Sequence, residues 1–310
     1  MVKRILSTEY LLLMGHVLSM IFGLAGILLV LPNAEFILSL PEFGKTAFSW
    51  SMAGGGVVYM LLGATAVSVY AYRTLGIGRW LGFMLPALFL SLGSELLGTS
   101  TGFPFGHYHY LEGLGYKIAG LVPFTIPLSW FYLGFSAYII ARAGLEKLTM
   151  PKWLRLGSAI AFGALLLTCW DFVLDPAMSQ TTVPFWIWEQ PGAFFGMPYQ
   201  NFAGWFGTGV VFMTVATLIW DRKILSLPEE QLVFPLAIYL SNFAFATVMS
   251  LAAGIWIPVS LGVVLGLLPL LWLYRLATKG SSFPFASGTI NLREQQSEAK
   301  PVVSVGVMPE

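Results

Sequence analysis

Apolar stretches long enough to cross a bilayer dominate this sequence and set its class before any motif is read. Eight can be drawn, at approximately 10–31, 49–71, 80–98, 118–141, 154–175, 201–220, 231–251 and 255–274. Residues 231–274 carry no charge but are too long for one crossing at about 1.5 Å rise per residue, so Ala252-Ala253-Gly254 is read as a tight turn. The chain is 57% hydrophobic and only 10% charged, with a mean hydropathy of +0.77. These values predict an all-α, polytopic integral membrane protein whose helical domain covers 1–279.

Charge placement predicts how the chain is threaded. With the N-terminus in the cytoplasm, Lys3, Arg4, Arg73, Arg79, Arg142, Lys147, Lys152, Arg155, Arg222, Lys223, Arg275, Lys279, Arg293 and Lys300 all fall on the cytoplasmic side. Only Lys45 and Lys117 fall opposite, as the positive-inside rule requires. A seven-span threading would move the C-terminal cations to the wrong side, so eight spans with both termini cytoplasmic is expected. Lys3-Arg4 followed by a long apolar run, with no small-x-small site after it, reads as a retained first helix rather than a cleaved leader. The Ser-, Glu- and Gln-rich residues 280–310 are expected to form a disordered cytoplasmic tail. Gly54-Gly55-Gly56 and Gly63 lie inside a span and are expected to allow close helix packing.

Several function classes drop out on composition. A net charge of +1 without a basic run gives no footprint for nucleic acid. One cysteine, Cys169, excludes a disulfide frame, an Fe–S cluster and a thiolate zinc site. Three histidines are too few for a membrane di-iron centre, and only His16, expected to be a packing residue, lies within a span, so paired haem ligation is excluded. No glycine-rich phosphate loop follows a strand. No metal and no cofactor are expected.

Against that background three acids stand out: Glu95, Asp171 and Asp175 lie inside apolar runs, and no Lys or Arg occurs between Arg155 and Arg222. An acid at the centre of a membrane helix costs roughly 2.5–3.5 kcal/mol on insertion scales, so such residues usually have a task or a partner. Desolvation and mutual repulsion both disfavour their charged forms, which makes them candidates to hold a proton or bind a cation. At 3.6-residue spacing Ser91, Ser94, Glu95 and Gly98 share a face, as do Thr168, Asp171 and Asp175, and Asn201, Gly204, Trp205 and Thr208. All three stripes fall at the outer ends of their helices, and Pro176 is expected to end the fifth span at Asp175. Plainer alternatives stand beside this: Glu95 could simply bond a neighbouring helix, and Asp175 could be an interfacial residue. Asp221, Glu229 and Glu230 read as solvated loop charges.

Two long outer loops, 98–110 and 176–201, are rich in aromatic residues and glycine and poor in charge. They are expected to fold as a lid over the acids. His107 and His109 share a face only on an extended strand. Most of the aromatics suit an interfacial belt, with a fraction lining a cavity. A neutral carboxylic acid among ring faces can protonate an alkene and stabilise the resulting cation. A proton- or cation-coupled transporter would use intramembrane acids equally well, although these acids lie toward one side and no repeat is visible.

The stretch Glu95-Leu-Leu-Gly-Thr-Ser-Thr-Gly-Phe-Pro-Phe-Gly-His107-Tyr108-His109-Tyr110 resembles the carotenoid biosynthesis membrane family. So do Trp170-Asp171-Phe-Val-Leu-Asp175-Pro176 and Gly196-Met-Pro-Tyr199-Gln-Asn201-Phe-Ala-Gly-Trp205. That family includes carotenoid 1',2'-hydratases, gamma-carotene 1'-hydroxylases and the hydratases of bacterioruberin synthesis. The resemblance implies cofactor-independent addition of water to the C1'=C2' double bond of an acyclic carotenoid end, such as that of gamma-carotene, in the cell inner membrane or an internal membrane. The carotenoid would arrive through the lipid phase and water from the interface. On the myxol branch a carotenoid glycosyltransferase would act downstream. The physical reading assigns Asp171 as proton donor, with Asp175 or Glu95 biasing that proton or positioning the water. His107, His109, Tyr108, Tyr199 and Asn201 are candidates to order water or contact substrate, and Trp170 and Trp205 to flank the cation.

Overall fold

A computed structural model describes residues 7–180, 184–190, 192–220, 225 and 227–278. The tail expected over 280–310, and the loop charge Asp221, lie outside the described residues. The described chain is an all-α membrane bundle around one apolar core. Helix is the expected outcome for such runs, because backbone N–H and C=O groups in hydrocarbon must be satisfied within the segment.

Helix α1 (Thr8–Ala25) continues through a π-helical turn at Gly26–Val30. A short α2 (Ala34–Ser39) leads into α3 (Glu42–Leu75), and α4 spans Ile77–Thr101. Three short strands follow, β1 (Tyr108–Tyr110), β2 (Lys117–Ile118) and β3 (Val122–Pro123), before α5 (Thr125–Leu145) and α6 (Lys152–Met178). Strand β4 (Trp186–Trp188) precedes α7 (Tyr199–Ile219) and α8 (Glu229–Ala252). The last rod is α9 (Trp256–Gly262), a π-helical turn at Val263–Leu267, and α10 (Leu268–Thr278). Pro41, Pro151, Pro198 and Pro228, all with extended backbone, stand immediately before α3, α6, α7 and α8. The turn expected at Ala252-Ala253-Gly254 is present, with Gly254 at φ +74°.

Seven helices among the described residues are long and apolar enough to cross a membrane. Helix α5 is the other long rod, 21 residues, and all of it is buried except the half-buried Leu128. It packs against α3, α4, α6, α8 and α10. A helix sheathed by other helices does not face lipid, so it can carry Trp130, Tyr132, Ser136, Tyr138 and Arg142 at the expense of hydropathy. At its C-terminal end the Arg142 guanidinium lies 5.4 Å from the Trp220 ring centroid and donates to the Tyr138 hydroxyl at 2.9 Å. Glu146 joins Arg155 there at 3.0 Å. Glu229 and Glu230 are exposed in the first turn of α8, in keeping with solvated charges favoured at a helix N-terminus.

Three sequence expectations need correction. The fourth apolar stretch does not begin as helix at 118: residues 117–123 form the β2–β3 hairpin, and α5 starts at Thr125. An apolar run does not distinguish strand from helix at this length. Pro176 does not end α6 at Asp175; the helix runs on to Met178, and Ser179 closes it through its N–H and hydroxyl on the Asp175 carbonyl. The intraspan glycines divide. A side chain at Gly56 would strike the Gly113 carbonyl at 2.6 Å, and one at Gly63 the His16 ring at 2.9 Å, so both permit close approach. A Cβ at Gly54 would meet nothing within 4 Å, and at Gly55 only the Ser51 hydroxyl at 3.8 Å.

His16 is fully buried, but it does more than fill space. Its Nδ1 lies 2.7 Å from the Tyr59 carbonyl and its Nε2 3.0 Å from the Asn242 amide. A neutral ring with the proton on Nδ1 satisfies both contacts and ties α1 to α3 and α8.

Candidate functional site

The C-terminal ends of α4 and α6 and the N-terminal end of α7 carry the three polar stripes, and the two loops close over them. The closure is a β-ladder between loops far apart in sequence. β1 pairs antiparallel with β4, placing Tyr108 opposite Trp188, His109 opposite Ile187 and Tyr110 opposite Trp186. Successive strand residues point to opposite faces. Tyr108, Tyr110, Trp186 and Trp188 therefore face the helices, while His107, His109 and Ile187 face away. The lid is plugged into the bundle by Phe105, which fills a slot left by Gly98 of α4 and Gly204 of α7. A Cβ at either glycine would lie 2.6 Å or less from the Phe105 ring.

Beneath the lid lies a cavity lined by aromatic rings and by Glu95, Asp171, Asp175 and Asn201. The three acids are buried, and each is held by neutral donors. Glu95 Oε2 accepts the hydroxyls of Tyr108 and, at 2.9 Å, Tyr110; its Oε1 accepts the Trp130 indole N–H at 2.9 Å. Asp175 Oδ1 accepts the Trp186 indole N–H. The Asn201 amide donates to Oδ2 of both Asp171 and Asp175, at 2.9 Å each, so one NH₂ group bridges the pair. Burial, reinforced by the Glu95 charge, pushes the Tyr108 and Tyr110 hydroxyls well above the ordinary phenol range, so both remain donors.

These contacts leave one acceptor unused. Of the six carboxyl oxygens, only Asp171 Oδ1 receives no hydrogen bond from the described residues, and Asp171 lines the cavity. The cavity wall beside it is indole. Trp170 and Trp205 meet edge to face at 5.9 Å, and Trp130 stacks on Trp205 at 3.9 Å. The Trp170 N–H is occupied by the Asn242 carbonyl at 3.2 Å, which orients its ring.

Of the residues singled out in the sequence, the structure gathers Glu95, Asp171, Asp175, Tyr108, Asn201, Trp170 and Trp205 around this cavity. It does not bring in His107, His109 or Tyr199. His109 pairs with Glu189 at 2.9 Å on the outer face of the lid, about half exposed. His107 is exposed, its ring packed over Gly102, where the chain leaves α4 at φ +79°. Tyr199 is 62% exposed and packs against Phe194 and Phe202. Strand alternation sends the histidines outward, and the first turn of α7 sends Tyr199 outward while Asn201 turns in. The sequence reading missed Tyr110, Trp130 and Trp186 as carboxylate donors. The alternation Tyr108-His109-Tyr110 carried a signal for the first.

Among the described residues, no group of three or more His, Cys, Asp and Glu side chains is arranged to hold a metal ion.

A family model described as carotenoid biosynthesis protein matches residues 55–269, which include every residue around the cavity. The chain is 32% identical over 259 residues to the bisanhydrobacterioruberin hydratase of Haloarcula japonica, an alignment covering 83% of each protein. No solved structure matches the chain. The chain therefore belongs to the carotenoid biosynthesis protein family, with a hydratase among its relatives.

Proposed function

We propose that this protein adds water to the terminal C1'=C2' double bond of an acyclic carotenoid end, giving a 1'-hydroxy tertiary alcohol, with gamma-carotene as a representative substrate. The observation that carries the reading is Asp171, which lines a cavity walled by indole rings and whose Oδ1 accepts no hydrogen bond from the described residues. In this mechanism Asp171 holds the proton. Its O–H bond breaks as the alkene π electrons form a C–H bond at C2', leaving a tertiary cation at C1'. The faces of Trp170 and Trp205 stabilise that cation, as ring quadrupoles do. A water molecule attacks C1' and gives up one of its protons, which returns to the Asp171–Asp175 pair. One water is consumed, nothing is oxidised, and the acid is regenerated.

The remaining groups have roles that follow from their contacts. Asn201 fixes Asp171 and Asp175 side by side, so that the pair can share one proton. Glu95 anchors the lid through Tyr108 and Tyr110, which keeps bulk water from quenching the cation. The relative from Haloarcula japonica is named as a hydratase, which supports a hydration rather than a transport reading. An end group entering from the lipid also suits a cavity placed near one face of the bundle.

The test is conversion without oxygen or reductant. Membranes containing the protein, given a carotenoid with an acyclic end under anaerobic conditions, are expected to yield a product heavier by one water. Its visible spectrum should be unchanged, since the attacked bond lies outside the conjugated chain. No conversion, together with an ion flux in vesicles that requires the carboxylates, would overturn the proposal in favour of a transporter.

A further inference from the structure

A second cavity lies between α1 with its π-helical turn and α3, flanked by Phe185 and Phe245. It shares Tyr59, Leu114 and Met178 with the cavity that holds the acids, so the two are neighbours across a common wall. Its floor is made by glycines, Gly23 and Gly26 on one side and Gly55 and Gly56 on the other. Glycine is the poorest ordinary helix former, so its use inside a span calls for a reason. Close packing supplies that reason at many sites in this bundle: a Cβ at Gly144 would lie 2.4 Å from the Leu273 carbonyl, and one at Gly262 2.2 Å from Val173. It supplies it here only for Gly56, whose Cβ would lie 2.6 Å from the Gly113 carbonyl; a Cβ at Gly23 or Gly26 would meet no atom within 4 Å, and at Gly55 only a hydroxyl at 3.8 Å. Gly23, Gly26 and Gly55 keep a slot open. The local π-helical winding at Gly26–Val30, a feature frequent at functional sites, lies on the same wall. The slot residues Gly23, Gly26 and Gly55 are half-buried, so the slot is reachable from outside the bundle.

We infer that the slot between α1 and α3 is the binding channel for the polyene body of the substrate, which runs from the lipid past Tyr59, Leu114 and Met178 to present its end group to Asp171. This rests on the carotenoid reading above. Three observations identify the occupant as a thin, rigid hydrocarbon. The walls are mostly apolar and aromatic, with Ser19, Ser51 and Tyr59 the lining residues that carry hydroxyls. Gly23, Gly26 and Gly55 leave open the space that larger side chains would fill. The slot shares Tyr59, Leu114 and Met178 with the cavity where the reacting bond must lie.

The test fills the slot and compares substrates of two lengths. Gly23→Phe, Gly26→Phe and Gly55→Phe are made in the full chain, with Gly93→Phe on the exposed face of α4 as a folding control, since a Cβ there also meets nothing within 4 Å. Each protein, in lipid nanodiscs, receives either a full-length carotenoid with an acyclic end or a short acyclic monoterpene hydrocarbon bearing the same isolated terminal double bond. The slot variants are expected to lose at least about tenfold in kcat/KM on the carotenoid while staying near wild type on the monoterpene, a split that reports lost binding of the remote chain. The control should change neither. Equal loss on both substrates, or no loss on either, would overturn the inference. Carotenoid retained by each purified protein, read from its visible absorbance, separates this result from failure of the hydration reading. If wild type hydrates neither substrate, the slot variants must still lose retained pigment for the channel to stand, and retention equal to wild type would refute it.

Discussion

Replacing Asp171 by Asn separates the chemistry of the site from its architecture. The carboxyl and amide groups are nearly the same size, and Asp171 uses only Oδ2 within the protein, accepting from Asn201 at 2.9 Å. An amide carbonyl can take that contact, with its NH₂ turned toward the open Oδ1 position, so stability should change by no more than about 1 kcal/mol. The transferable proton, however, is gone. General acid catalysis contributes about 10²–10⁴-fold, equivalent to roughly 2.7–5.5 kcal/mol of barrier, and hydration should fall by that much. Asp175→Asn is the internal comparison. Both Asp175 oxygens are in use, one by Trp186 and one by Asn201, so an amide there strands a buried N–H and costs about 1–3 kcal/mol of stability. The assay is the rate of hydrated product in proteoliposomes, with thermal unfolding of each variant in detergent. Asp171→Asn should give a stable, inactive protein, and Asp175→Asn a destabilised one. Wild-type rates from Asp171→Asn, or a large loss of its stability, would refute the assignment.

Three other outcomes follow from the same contacts. Glu95→Gln retains one acceptor oxygen for three donors, Tyr108, Tyr110 and Trp130, so we expect about 1–3 kcal/mol of destabilisation, read as faster proteolysis within the lid loops. Unchanged cleavage kinetics would show that the carboxylate does not anchor the lid. His107→Ala and His109→Ala should leave hydration within about twofold, because both rings face away from the cavity and the exposed His109–Glu189 pair is worth only about 0–1 kcal/mol. A loss approaching that of Asp171→Asn would mean the lid turns its other face inward. Gly144→Ala must force α5 from the α10 backbone, which a Cβ would approach to 2.4 Å, and a lower melting temperature in detergent is expected; an unchanged one would contradict the close packing of these helices.

The parts of this molecule that were legible in the sequence are those governed by local periodicity. Apolar runs located the long helices to within a few residues, except where α3 begins seven residues before the expected 49 and where the β2–β3 hairpin was taken for helix. The 3.6-residue stripes placed Glu95, Asp171, Asp175 and Asn201 on faces that do converge. What was not legible is what depends on distant pairing. Nothing near Tyr108 announces Trp188 as its partner, eighty residues on, and without that ladder the two loops have no register. The histidines drew attention by their chemistry, yet the same period of two that placed them together also turned them outward. Trp130 was hidden for a different reason: one indole in an apolar span looks like packing until a buried carboxylate is found at its N–H.

The central claim is that this cavity adds the elements of water to an isolated double bond, with the proton delivered from the protein. It is tested most directly by running the reaction in D₂O enriched in heavy oxygen and locating both labels in the product by NMR and mass spectrometry. The account predicts one solvent-derived deuterium at C2' and one solvent-derived oxygen at C1' in each molecule of product. Oxygen drawn from O₂, or a C2' position without deuterium, would contradict it.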